Sequence, residues 1–116
     1  MSAITIRLDG RKEWLAASAD EKIGAAAIST LNFALGHQMG RAIEIARRAC
    51  VAMPNVAFIG SHGHTFSHLP PRRATRGQLA STMQLGESSA IAAATGVAAI
   101  ADFRTMDVAP GGEGAR

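Results

Sequence analysis

Polar residues able to do chemistry gather in the second half of the chain, each group at the end of a short apolar run. Val56–Ile59 delivers Ser61-His62-Gly63-His64-Thr65, and Val97–Ala101 delivers Asp102-Phe103-Arg104, followed by Asp107 and Gly111-Gly112-Glu113-Gly114. Buried strands that release polar residues at their C-terminal ends are how open α/β sheets build sites. A carboxylate such as Asp102, at a strand end and facing a cleft, can act as a general base, and the planar fork of Arg104 can bind an anionic group. An Asp that simply pairs with a neighbouring Arg is the plainer alternative, and spacing does not separate the two.

The histidines offer a second chemistry. On an extended strand His62 and His64 point to the same side, joined by His68 if the strand continues. H-x-H beside a carboxylate is a zinc-binding pattern, but no Cys joins it and His68 lies beyond an expected bend, so no metal ligand is assigned. Glycine-rich loops can cradle phosphate through backbone N–H groups. The Gly111–Gly114 stretch lacks both G-x-x-x-x-G-K-[ST] and G-x-G-x-x-G, and a flexible end is the simpler expectation.

The elements that must position these residues follow from periodicity. Ala3–Leu8 alternates Ile4, Ile6 and Leu8 against Thr5 and Arg7, a half-buried strand closed by an Asp9-Gly10 turn. Arg11–Ala17 suits a short helix, and Ser18-Ala19-Asp20-Glu21 has the form of a capping box. Behind it a long helix runs to about Ala52, with Leu31, Leu35, Met39, Ala42, Ala46 and Ala49 on one face. Gly24, Gly36 and Gly40 weaken it by ~1 kcal/mol each relative to Ala; they either let it pack closely on a sheet or mark a break. Asn32 and His37 read as surface or capping residues. Met53-Pro54-Asn55 ends the helix.

Val56–Ile59, Thr65–Leu69 and Thr82–Leu85 read as strands, with Pro70–Ala80 as a basic loop. Ser88–Thr95 reads as a small helix with Gly96 at its C-terminal cap. Val97–Ala101 is the last buried strand, and from Thr105 a glycine-rich loop is expected. The order of elements argues for an α/β fold with a partly parallel sheet.

The totals narrow the class. A chain of 116 residues holds one domain at most. With 47% apolar and 18% charged residues it is globular rather than disordered. Its charge of +3 comes from scattered arginines with no interleaved aromatics and no Tyr, which argues against nucleic acid. A single cysteine, Cys50, excludes an internal disulfide and fits a reducing compartment. No stretch reaches the ~20 apolar residues that span a bilayer, and the N-terminus carries no signal pattern, so the expectation is a cytoplasmic protein with no membrane partner.

Taken together, IGSHGHTFSHLP, TMQLGE and IAAATGVAAIADFRTMDVAPGGEGA resemble the anhydro-N-acetylmuramic acid kinase family. That family carries IGSHGQT-x-x-H-x-P, TLQIG[DE] and IA-x-x-TG-x-x-VV-x-DFR-x-x-D-x-A-x-GGQGAP in this order. The run from Leu31 to Ile43 is similar to the family's preceding helix, and the resemblance covers about Leu31 to Ala115. It implies a fragment of an actin-like, sugar-kinase (ribonuclease H-like) ATPase domain. Residues 1–116 would form a single partial domain, the middle of the N-terminal one.

The family cleaves the 1,6-anhydro bond of its sugar and phosphorylates O6 from ATP with Mg2+, in peptidoglycan recycling and amino sugar metabolism. By that resemblance Asp102 is the general base, and His62, Thr65, Arg104 and Asp107 line the sugar pocket. The family also suggests a homodimer.

Departures qualify the implication. The family's Gln after SHG is His64 here, the Gln of GGQGAP is Glu113, and its Pro is replaced by Arg116. The MSGTSxDG phosphate motif has no match in Met1–Ser18, and the family's second domain would follow Arg116. Neither ATP nor Mg2+ is expected to bind this chain well, and an isolated chain is expected to be inactive as a kinase. The other readings are a non-catalytic sugar-binding or interaction remnant, and a small metal-dependent hydrolase using the histidines.

Overall fold

A computed structural model of the chain describes residues 22–49 and 55–114, together with Lys12 and Ala16, both exposed and helical. The strand expected at Ala3–Leu8, the capping box at Ser18–Glu21, Cys50 and the Met53-Pro54 helix stop lie outside the described residues. So does the rest of the helix expected over Arg11–Ala17.

The longest element is α1, Ala25–Ala49. It is unbroken, and its apolar stripe turns inward: Leu35 is buried, while Leu31, Met39, Ala42 and Ala46 are half-buried. What it packs on differs from the expectation. Its main partner is a second helix, α2 (Ser88–Thr95), not a sheet. The glycines explain the close approach. A Cβ on Gly36 would fall 2.5 Å from the Glu87 carbonyl oxygen, and one on Gly40 would fall 2.6 Å from the Ala94 Cβ. Removing two side chains from α1 lets small-residue faces meet, which offsets the ~1 kcal/mol helix cost of each glycine.

α2 occupies the residues its sequence suggested. Gly96 caps it in the left-handed region, φ 67°, and donates to the Ala92 carbonyl at 2.8 Å. Ile91 on this helix is fully buried, and with Leu35, Leu85, Ala90 and Val108 it forms the core. The last turn of α1 also reaches α2: Arg47 donates to the Thr95 carbonyl at 2.9 Å and pairs with Glu44 at 2.6 Å. A cation at a helix C-terminus meets the negative end of its dipole.

Two small sheets complete the fold. β1 (Ile59–Gly60) and β4 (Ala99–Ile100) pair in parallel, Ile59 opposite Ala99. β2 (His64–Leu69) and β3 (Ser81–Leu85) form an antiparallel hairpin across the loop at 70–80, with a register shift between Thr65 and Ser67. The architecture is α/β with a partly parallel sheet, as the element order indicated.

Two expectations are corrected. Val56–Ile59 and Val97–Ala101 are not full-length buried strands. Each contributes only two paired residues, and Phe58 and Ile100 stay 60% and 46% exposed. The reason is geometric: parallel strands become buried only when both faces are covered, and although α2 packs against β4, Phe58 and Ile100 remain exposed. From Thr105 the chain is not loop, because Phe103–Val108 forms a short helix, α3, that buries Val108.

Candidate functional site

The turns that follow β1 and β3 back onto one another. Gly63 has φ 70°, and a Cβ there would fall 2.5 Å from the Leu85 carbonyl oxygen. Gly86 has φ 120° and lies against the Gly63 Cα. Only glycine accommodates both the dihedral angle and the approach. Ser61 anchors the first turn: it is buried, its backbone N–H bonds the Ile100 carbonyl at 2.8 Å, and its hydroxyl accepts from the Gly63 N–H at 3.3 Å.

Between these turns, the N-terminal half of α1 and the end of β4 lies a polar cavity of about 190 Å3. Asn32, His62, Gln84, Glu87, Ser88 and Asp102 line it. A larger, more apolar cavity of about 430 Å3 lies between α1 and β1, and His62 borders both.

Asp102 reaches the polar cavity through an unusual backbone. It is the only non-glycine residue with positive φ among the described residues, φ 64° and ψ 20°. Asp tolerates this left-handed region better than most residues. It stands at the N-terminus of α3, where its carbonyl accepts from the Met106 N–H at 3.0 Å, yet its carboxylate makes no capping bond. The side chain is thus delivered between β4 and α3 without being used by the helix.

The other carboxylate on the cavity is used. Glu87 accepts from the Ser89 N–H at 3.1 Å, the Ser89 hydroxyl at 2.8 Å and Asn32 Nδ2 at 3.0 Å. The Ser89 hydroxyl and N–H hold its pKa below the ordinary 4.5, assisted by Asn32 and opposed by partial burial. Asn32 also accepts from the Gly86 N–H at 2.8 Å, and its own carbonyl accepts from the Glu87 N–H at 3.0 Å. α1 therefore grips the β3–α2 turn at three points. Of two carboxylates on one cavity, Glu87 is committed to structure and Asp102 is free for chemistry.

His62 is exposed, with Nδ1 3.1 Å from the Gly63 carbonyl. A carbonyl only accepts, so in the neutral ring Nδ1 carries the hydrogen and Nε2 is the free acceptor. His68 turns away from it, with Nδ1 3.2 Å from the Thr82 hydroxyl. Among the described residues no group of three or more His, Cys, Asp or Glu side chains is placed to hold a metal ion.

The remaining candidates sit around α3 and its loop. Arg104 donates to the Thr65 hydroxyl at 2.9 Å, tying α3 to β2, while its Nε is buried without a partner. Asp107 holds the glycine loop: its carboxylate accepts from the Gly114 N–H at 2.8 Å and its carbonyl accepts from the Gly112 N–H at 2.9 Å. Gly111 N–H bonds the Val108 carbonyl at 3.0 Å. The loop is pinned rather than flexible, and these three N–H groups are taken by the protein itself. Glu113 forms an ion pair with Arg72 at 3.1 Å.

The structure therefore brings His62 and Asp102 onto one cavity and bonds Thr65 to Arg104 and Asp107 to the loop. The sequence reading missed Asn32, Gln84 and Glu87. Their signal lay in the TMQLGE motif and in an Asn on the buried side of α1.

Comparison with known proteins is consistent across the chain. The family model described as anhydro-N-acetylmuramic acid kinase matches residues 9–116. Proteins named anhydro-N-acetylmuramic acid kinase are similar to it. The one from Clostridioides difficile (strain 630) is 39% identical over 97 residues, 83% of this chain and 25% of that protein. The one from Bacillus cereus (strain Q1) is 36% identical over 115 residues, 98% of this chain and 30% of that protein. The one from Bacillus cereus (strain AH820) is 42% identical over 89 residues, 76% of this chain and 23% of that protein. The chain thus spans between about a quarter and a third of the length of these relatives.

Proposed function

The chain belongs to the anhydro-N-acetylmuramic acid kinase family, and on that premise we propose that it forms the sugar-binding part of such a kinase's N-terminal domain. The substrate is anhydro-N-acetylmuramic acid, bound in the polar cavity. The reaction is opening of the 1,6-anhydro ring with phosphorylation of O6, a step of peptidoglycan and amino sugar recycling in the cytoplasm. The observation that carries this reading is Asp102: a carboxylate in a left-handed backbone conformation, on the cavity wall, making no capping bond.

Asp102 takes a proton from a water whose oxygen adds to C1 of the sugar while the C1–O6 bond breaks, and O6 leaves with the bonding pair to become the oxygen that is phosphorylated. The carboxylate also stabilises the positive character that develops at the anomeric centre. His62, with Nε2 free, accepts a sugar hydroxyl on the same cavity. Arg104, Thr65 and Asp107 complete the sugar pocket from the α3 side, where the Arg104–Thr65 bond and Asp107's bonds to the glycine loop hold it in shape. Of the family departures among the described residues, Glu113 is accommodated by its ion pair with Arg72, and His64 alters the strand edge that opposes Leu85.

In a kinase of this kind ATP supplies the phosphoryl group with a divalent metal. The described residues do not fit that role. The loop N–H groups suited to phosphate are bonded to Val108 and Asp107. No step of phosphoryl transfer is therefore assigned to this chain, and the chain by itself is expected to turn over no ATP. The same observation favours a second reading, a sugar-binding module without catalysis.

The two readings separate by grafting residues 22–114 into the full-length Bacillus cereus relative and measuring sugar-dependent ADP release. Turnover in the graft supports the kinase reading. Sugar binding with no turnover moves the non-catalytic module to the front. Sugar-dependent ADP release by the isolated chain would contradict the division of labour proposed here.

A further inference from the structure

The network behind Gln84 leaves one atom unexplained. The Gln84 Nε2 donates to the Thr82 hydroxyl at 2.6 Å. The Thr82 hydroxyl in turn faces the Ser67 carbonyl at 3.4 Å, a group that only accepts. Thr82 must therefore send its hydrogen to Ser67 and its lone pairs toward Gln84. The order of donors fixes the amide: nitrogen toward Thr82, oxygen away from it. His68 Nδ1 lies 3.2 Å from the same hydroxyl, and the arrangement holds with that nitrogen as the donor. The oxygen, Oε1, is buried and has no hydrogen-bond partner in the protein.

A buried acceptor without a partner is uncommon and costs free energy, so it needs a reason. Gln84 lines the same polar cavity as His62 and Asp102, and a ligand there can supply what the protein does not. Resting on the sugar-binding reading above, we propose that Gln84 Oε1 is a specificity-determining acceptor for a hydroxyl or amide N–H of the bound sugar. Its orientation is set in advance by Thr82. A site built to pair with a substrate O–H or N–H rejects analogues that lack it, because the site's own buried group is then left unpaired.

The test compares the wild-type chain with Gln84→Met, which keeps the length of the side chain and removes the acceptor. Two quantities are measured: affinity for anhydro-N-acetylmuramic acid by calorimetry, and the melting temperature without ligand. The expected result is an affinity loss of about tenfold with a melting temperature little changed, since losing the unpaired buried oxygen offsets losing the Nε2 bond to Thr82. Equal affinity in both proteins overturns the inference while leaving the functional reading intact. A fall of several degrees in melting temperature also overturns it, because Gln84 would then serve the fold. If the wild-type chain binds no sugar, the functional reading fails and this inference falls with it.

Discussion

Two polar regions, one around α3 and one around the cavity, use their side chains differently. Around α3 most groups are spent locally: Arg104 donates to Thr65 but keeps its Nε donor buried and unpaired, Asp107 holds Gly112 and Gly114, and Glu113 pairs with Arg72. Around the cavity the wall is equally well bonded, through Asn32 and Glu87, but Asp102, His62 and Gln84 each keep an acceptor unused. The difference teaches where to look for chemistry. Clusters that satisfy themselves build shape, whereas acceptors left open on a rigid wall are available to a ligand.

The largest expected effect breaks the comparison at Asp102. In the graft with a full-length relative, Asp102→Asn lowers turnover by about 10^2–10^4-fold while sugar affinity changes little. Unchanged turnover would mean that the open carboxylate is not the base.

Next comes the wall itself. Gly36→Ala places a Cβ against the Glu87 backbone, so α1 and the β3–α2 turn must separate. The expected loss is about 1–3 kcal/mol of stability, read by chemical denaturation and accompanied by weaker sugar binding.

Thr65→Val sharpens the contrast from the other side. Losing the Arg104 tie costs about 1 kcal/mol, and sugar affinity falls less than it does in His62→Ala. The reverse order of affinities would place the essential contact around α3.

The smallest effect is a pH dependence at Glu87. Its pKa is lowered in the folded chain, so its ionised form adds stability above the ordinary value of 4.5, and that contribution fades as pH falls through the lower folded value. Glu87→Gln should therefore be less stable than wild type near neutral pH, with the gap closing in acid. Denaturation curves for the two proteins at neutral and acidic pH measure it.

Much of the local structure was legible. Ser88–Thr95 with Gly96 carries its own helix and stop signals, and the strands read at Thr65–Leu69 and Thr82–Leu85, on either side of a breaker-rich loop, fall within the observed hairpin. What was not legible depends on distant partners. Gly36 and Gly40 resemble weak points in a helix until the Glu87 backbone and Ala94 are seen against them. Asn32 resembles a surface residue because the groups it holds lie more than fifty positions away.

The strands at Val56–Ile59 and Val97–Ala101 were overestimated because apolar runs report a demand for burial, and the packing of α2 against β4 meets it only in part. α3 was overlooked because its six residues are followed within two positions by Pro110 and then glycines. For the site, the family resemblance pointed to Asp102 and His62 together, but which of Asp102 and Glu87 stays unbonded was decided only by the fold.

The most direct test of the central claim is a calorimetric titration of the purified chain with anhydro-N-acetylmuramic acid, repeated for His62→Ala. The account predicts saturable binding at one site per chain, weakened about tenfold or more in the variant. No saturable heat, or equal affinity in both proteins, would contradict the assignment of the cavity to the sugar.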